Sequence, residues 1–341
     1  MDIKIIDVAR TAKVSPTTVS RVLNNSPLVK QRTRDSVLKV IEELNYVPHA
    51  AAKNLRLQKT MTIGIIVSDI KVSYNADIVK GIQNKAYSEK YKIVICDTQN
   101  DMEIEREYLR LLMDRSVDGL ILIATMLTEQ EITGIADRGY AVGIIGRSIE
   151  HDKVLNVHTD NVKAAKEAVE HLIAQGHREI VFLSGYPNAK DSFDRLEGYI
   201  KALSAHDIPF RPELVENGNF NKSGGYEAIK RLTFKGALFT AVFSANDEMA
   251  LGVYEICHEM GRTIPEELAI IGVDNDRVSK YLSPSLSTID QPKYEMGFML
   301  ADKLIRYMNG DFKQPRLTIL ESRLLIRRSS DYPRKGISSS E

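Results

Sequence analysis

Ile6-Asp7-Val8-Ala9-Arg10-Thr11-Ala12-Lys13-Val14-Ser15-Pro16-Thr17-Thr18-Val19-Ser20-Arg21-Val22-Leu23-Asn24 is the stretch on which the reading of this chain turns. Apolar residues recur here at helical spacing, first as Ile5, Ile6, Val8 and Ala9, then as Val19, Val22 and Leu23. Val37, Val40, Ile41 and Leu44 add a third set, so three short helices can close a minimal bundle. Ser15 suits an N-cap, and Pro16 is tolerated at the first helical position, where its missing N–H is no loss. The second helix therefore starts abruptly. Its outward face carries Pro16, Thr17, Ser20, Arg21 and Asn24, which are short groups and one forked cation. Such a face can enter a major groove, with Arg21 on guanine O6 and N7 and Thr17 on a base edge or a thymine methyl. Thr18 and Asn24 suit phosphates, which position a protein without reading sequence. Spacing alone also describes an ordinary solvated helix face.

Charge separates this region from the rest. The chain has 46 basic and 46 acidic residues over 341, for no net charge. Residues 1–60 hold eleven Lys/Arg against five Asp/Glu, an excess of six that the remaining 281 residues must balance with acid. That asymmetry fits a nucleic-acid-binding head on an acidic body. The length suits two or three domains, and 43% hydrophobic with 27% charged residues excludes wholesale disorder. Two cysteines, Cys96 and Cys257, build neither a disulfide framework nor a four-ligand zinc site. Both sit in apolar runs and read as reduced core thiols of a cytosolic protein, with a redox pair as the other reading. The opening MDIKIIDVARTAKV lacks a secretory core, and no apolar run nears the roughly 18 residues of a membrane helix.

The quoted stretch resembles the helix-turn-helix of the lactose/galactose repressor (LacI/GalR) family. The similarity continues through Thr33-Arg34, Val37, Ile41, Leu44-Asn45-Tyr46-Val47-Pro48 and Ala52-Lys53-Asn54-Leu55. It implies a DNA-binding domain over 1–48, with Ser15, Pro16, Thr17, Thr18, Ser20, Arg21 and Asn24 toward operator DNA. It also implies a hinge helix over 49–60 that pairs across a homodimer. There Ala52 and Lys53 approach the minor groove and Leu55 wedges a base step. His49–Leu55 favours helix but is too short to hold alone, and an alanine-rich linker would read the same way. Lys13 departs from the family, which has glycine in this turn. A left-handed non-glycine residue costs on the order of 1–2 kcal/mol.

From Thr62 onward, continuous apolar runs alternate with helical stretches. Strands are expected at Thr62–Val67, Lys92–Cys96, Gly119–Ala124, Val142–Ile145, Ile180–Ser184, Thr240–Ser244 and Ala269–Val273. Helices are expected over roughly 76–90, 101–115, 128–138, 161–175, 191–206, 223–234, 246–260 and 292–309. Alternation of this kind implies an α/β core of two doubly wound parallel-sheet subdomains over 61–330. One comprises roughly 61–160 plus 291–325 and the other 161–290, with a disordered tail at 331–341. This is similar to the periplasmic-binding-protein-like core of the same family. Its later markers here are Arg195-x-x-Gly198-Tyr199, Asn246-Asp247, Gly272-x-Asp274-Asn275 and Gln291-Pro292.

Ligands of such folds bind at the carboxyl ends of strands, between the subdomains. Tyr74, Asn75, Arg147, Asp191, Arg195, Phe220, Asn246 and Asp274 fall at such places. The resemblance marks Arg195 and Asp274 as a hydroxyl-binding pair and Phe220 and Tyr74 as stacking groups. Other readings stay open. Asp247 and Asn275 can cap helices and fix loops, Arg147 can pair with a carboxylate across the subdomains, and Lys190 can be a solvated loop charge. A neutral sugar and a sugar acid or phosphate both fit. Asn75 stands where the purine-responsive relative has an aromatic, which disfavours a nucleobase.

No dinucleotide, P-loop, metalloprotease or nucleophile-elbow motif occurs, and the seven histidines show no metal-ligand spacing. No catalytic residue, metal or cofactor is assigned. An enzyme or a transport receptor on the same core remains the contrasting class. The branch of the family that answers to a phosphorylated carrier protein uses an arginine where this chain has Asp302. The expectation is a homodimeric, sequence-specific repressor whose hold on double-stranded operator DNA is set by a carbohydrate effector. The tail lacks a leucine heptad, so a dimer is expected rather than a tetramer.

Overall fold

The computed structural model describes residues 3–23, 26–46, 59–187 and 189–332. They fall into two units that meet in the chain at Thr60 and Met61. The hinge segment with Ala52, Lys53 and Leu55 lies outside the described residues, as do Asn24 and residues 333–341.

Among the described residues the N-terminal unit has three helices, α1 (Ile5–Thr11), α2 (Pro16–Leu23) and α3 (Gln31–Glu43). Val8, Ala9, Val19, Val22, Val37, Val40 and Tyr46 form its core, drawn from the inner faces of all three. Lys13 has φ 53°, so it takes the left-handed conformation that the missing glycine would have supplied. The turn closes around it: Val14 N–H donates to the Ala9 carbonyl at 3.0 Å. Arg34 ties off the far end of α2 by donating to the Ser26 carbonyl at 2.7 Å and to that of Val22 at 3.5 Å.

The second unit holds two six-stranded sheets wound alike. The first lobe contains β1 (Thr62–Val67), β2 (Lys92–Asp97), β3 (Gly119–Ile123), β4 (Ala141–Ile145), β5 (Val154–Thr159) and β11 (Leu317–Leu320), in the order β2-β1-β3-β4-β5-β11. The second contains β6 (Ile180–Ser184), β7 (Val215–Asn217), β8 (Ala241–Ser244), β9 (Ala269–Val273), β10 (Ser287–Asp290) and β12 (Arg323–Leu325), in the order β7-β6-β8-β9-β10-β12. The central strands are buried over their whole length, because helices cover both faces of each sheet. In the first lobe these helices are α4 (Ser73–Ser88), α5 (Met102–Tyr108), α6 (Arg110–Met113), α7 (Glu129–Asp137) and α12 (Lys293–Met308). In the second they are α8 (Asn161–Ala174), α9 (Lys190–Ala205), α10 (Lys222–Phe234) and α11 (Asp247–Glu259). Two glycines let α4 and α12 touch. A Cβ on Gly81 would sit 2.1 Å from the Tyr294 carbonyl, and one on Gly297 would sit 2.1 Å from that of Ile78.

The chain passes between lobes three times, after β5, after β10 and after β11. The last passage corrects the expectation that 291–325 belongs whole to the first lobe. β12 pairs antiparallel with β10 (Ile289 opposite Leu324) in the second sheet. Ser329 then accepts from Ser287 N–H at 2.8 Å and donates to the Ile270 carbonyl at 2.6 Å. Ser329 and Ser330 are buried, so the polar end of the core is built into the second lobe. Strands β5, β7, β10, β11 and β12 escaped the apolar-run reading because Asn156, His158, Glu216, Asp290, Thr318 and Arg323 interrupt them. The helix expected over 101–115 breaks at Leu109 into α5 and α6.

Candidate functional site

The side chains singled out on α2 are placed as follows among the described residues. Ser15 Oγ accepts the Thr18 N–H at 3.1 Å and lies 2.9 Å from the Thr18 hydroxyl. These two hydroxyls therefore engage each other at the start of α2. Pro16, Thr17 and Arg21 are exposed and Ser20 is half-buried. The outward groups are thus a small pair, Pro16 and Thr17, with the Arg21 fork one turn further on, set on a rigid three-helix scaffold.

In the second unit all eight residues singled out for ligand contact line one cavity of about 330 Å³ between the lobes. The doubly wound order puts them there: each follows the carboxyl end of a parallel strand. Tyr74 and Asn75 are not in a loop, as the sequence suggested, because α4 begins already at Ser73 and places them in its first turn. Burial, helped by the charges of Asp274 and Asp191, pushes the Tyr74 hydroxyl far above its ordinary range, so it stays protonated. Asn75 donates to the Asp69 carbonyl at 2.7 Å, while its Oδ1 is buried without a partner. Arg147 follows β4 and Gly146 and donates to the Leu127 carbonyl; its Nε is buried without a partner. Glu105 holds the neighbouring loop, accepting from the Thr125 hydroxyl and from Met126 N–H at 3.0 Å. Burial raises the Glu105 carboxyl above its usual range.

The second lobe supplies the denser chemistry. Arg195 is 3% exposed. Its Nε donates to Asn161 Oδ1 at 3.0 Å and its Nη1 to the Ala245 carbonyl at 2.6 Å, and Nη2 lies 3.5 Å from the Asp191 carboxylate. Asp274 sits at φ 109°, strained for any residue with a Cβ, and accepts from Gln291 Nε2 at 2.7 Å. Burial pushes its carboxyl up to about 7; Arg195 opposes the rise and Asp276 adds to it. Phe220, also left-handed at φ 53°, meets Tyr186 edge-on with centroids 5.7 Å apart. A Cβ on Gly185 would lie 1.9 Å from that ring, so only glycine admits it. Asn246 caps α11 through Met249 N–H at 2.9 Å and donates to the Phe220 carbonyl at 3.0 Å. Asp247 is wholly buried and accepts from Asp276 N–H and the Thr288 hydroxyl, fixing the loop that presents Asp274.

Residues 4–49 match the family model described as bacterial regulatory proteins, lacI family, and residues 169–330 match the periplasmic binding protein-like domain. Over 332 residues the chain is 35% identical to catabolite control protein A of Priestia megaterium, covering 97% of this chain and all of that one. The chain belongs to the LacI family. It is similar to the lac repressor dimer bound to operator and the anti-inducer ONPF, with a TM-score of 0.86 at 26% identity over 97% of this chain and 99% of that one. It is also similar to the CelR–cellobiose complex, with a TM-score of 0.73 at 28% identity over 96% and 99%. Like its relatives, this LacI-family chain is a DNA-binding transcriptional regulator with a ligand-binding core.

Three residues of the site went unnoticed in the sequence. Gln291 was only a family marker; it receives the Thr159 hydroxyl at 3.0 Å while donating to Asp274, so it spans from the ligand wall to β5 of the first lobe. Lys293 is buried, donates to the Asp274 carbonyl and lies 3.4 Å from Asp276. Asn161 holds Arg195 where the chain crosses between lobes. None shows a local pattern, since each partner is distant in sequence. Lys190 is paired with Asp194, and Asp302 lies 2.9 Å from Lys85 and 3.6 Å from Arg306. Among the described residues no three His, Cys, Asp or Glu side chains gather as metal ligands, and no helix is long and apolar enough to cross a membrane.

Proposed function

We propose that this regulator is a homodimeric repressor whose grip on operator DNA is set by a sugar or sugar-acid effector in the cavity between its lobes. One observation carries the reading: eight residues from six strand ends line a single cavity that has both hydroxyl-binding groups and aromatic faces. Arg195, Asp191 and Asp274 bond hydroxyls, while Tyr74 and Phe220 meet the apolar face of a ring. The relatives' ligands, an anti-inducer in one structure and cellobiose in another, agree with it.

Operator contact falls to Thr17, Ser20 and Arg21 on α2, with Asn24 beyond it, and to Ala52, Lys53 and Leu55 in the hinge segment. Dimerisation has a supporting feature in β2, a sheet-edge strand that exposes Val94 and Ile95. An effector that prefers one arrangement of the lobes shifts operator affinity, and DNA must shift effector affinity by the same factor, typically about 5–150-fold. A thermal-shift screen of the full chain against sugars, sugar acids and sugar phosphates tests the cavity, because a bound ligand raises the melting point. An operator selected from random DNA tests the head. Arg21→Ala is expected to weaken binding and relax base preference, and unchanged affinity and selectivity would remove Arg21 from that role.

A further inference from the structure

We infer that the effector is a monosaccharide-sized sugar acid, and that Arg147 receives its carboxylate. The inference rests on reading the cavity as the effector site and goes further by naming the group that fills one end. Three cations line the cavity, and two have carboxylates beside them: Arg195 with Asp191, and Lys190 with Asp194. Arg147 has none. Its guanidinium gives one bond to the Leu127 carbonyl, its Nε is closed off unbonded, and no carboxylate among the described residues pairs with it. Glu105, on the adjacent loop, is already bonded to Thr125 and Met126.

A guanidinium stays charged at any relevant pH, and a half-buried one with no carboxylate in contact is incompletely compensated. The arrangement is explained if an anion completes it. A carboxylate oxygen can accept from Nη1, the terminal guanidinium nitrogen that faces no protein acceptor among the described residues, while Nη2 is held by Leu127. A doubly charged phosphate would call for more cations than this wall offers. The carboxylates that accept hydroxyls, Asp191 and Asp274, belong to the other lobe, so the acid end of the ligand is directed to the first lobe. The volume of about 330 Å³ is at the small end of the roughly 300–1,000 Å³ usual for ligand pockets, which suits one sugar unit.

Calorimetric titration of the full chain with D-glucuronate, D-galacturonate and D-gluconate, against D-glucose, D-galactose and glucose 6-phosphate, tests the assignment. At least one acid is expected to bind ten-fold or more tightly than its neutral counterpart, and to weaken as salt rises from 50 to 500 mM while the neutral sugar does not. Arg147→Gln is expected to bring the acid-to-neutral affinity ratio toward one, with Arg147→Lys keeping part of it; the wild-type salt series needs no variant to fold. Equal binding of acid and neutral sugar, preference for the phosphate, or a ratio untouched by Arg147→Gln each overturns the inference while leaving the cavity as a sugar site. Failure of the wild-type chain to bind any of the six overturns the cavity reading and this inference together.

Discussion

The two lobes of the core share one winding and differ in what they bring to the cavity. β2-β1-β3-β4-β5 and β7-β6-β8-β9-β10 are the same order, so the same loops reach the cleft from each side. The second lobe presents a polar wall in which Arg195, Asp274 and Asn246 each already hold protein partners. The first lobe presents Tyr74, Asn75 and Arg147, of which Asn75 and Arg147 keep a buried polar atom without one. A common scaffold therefore sets where groups stand, while the loop residues decide which of them find protein partners. On the reading proposed above, the second lobe is the anchor for the effector and the first lobe the part that discriminates.

The largest test of that division is Arg195→Ala. Loss of three contacts from a buried guanidinium should weaken effector binding by at least ~100-fold and destabilise the second lobe by roughly 2–4 kcal/mol. Effector affinity retained within a few-fold would mean that the anchor lies elsewhere. Asp274→Asn comes next and carries a pH signature. Asp274 ordinarily ionises near 3.8 and here near 7. Between those values the folded chain keeps a proton that the unfolded chain has lost, so stability falls as pH rises through the window and stays reduced above it. The asparagine variant should melt higher than wild type at pH 8, by on the order of 5 °C, with the gap closing toward pH 4. A gap that ignores pH would show that the carboxyl is not held up by burial.

Gln291 joins the lobes. Gln291→Ala strips partners from Asp274 and Thr159 and should cost about 1–3 kcal/mol. Paired with Thr159→Val in a double-mutant cycle, it should show a coupling of roughly 0.5–1.5 kcal/mol, along with a smaller effector-induced change in operator affinity. Additive losses would mean that the bridge carries nothing between lobes. Ser329→Ala is the mildest change. It removes two bonds that only the second lobe has at this edge, and should lower the melting point by a degree or a few, about 1 kcal/mol in all. No change in thermal melting would make the closing segment incidental to the second sheet.

Much of this could be read along the chain. The bundle followed from Val8, Val19, Val22, Val37 and Val40, because helical period is a local property. The strained turn at Lys13 was foreseeable for the same reason, since the cost of a left-handed residue does not depend on what packs around it. The cavity residues were legible as groups at the ends of apolar strands, and all eight line the same cavity.

Other features have no local cause. That β12 turns back to pair with β10, that Ser329 is buried, and that Asp302 faces Lys85 rather than standing free depend on segments tens to hundreds of residues apart. Gln291 reaching Thr159 across 132 positions is of the same kind. Periodicity and composition determine which elements form and which faces are apolar, because those energies are summed over neighbours in the chain. Only the packed fold decides which polar groups find partners and which are left unbonded, because that depends on three-dimensional proximity and on the exclusion of water. The lack of a carboxylate in contact with Arg147 among the described residues, on which the ligand assignment stands, belongs to this second class.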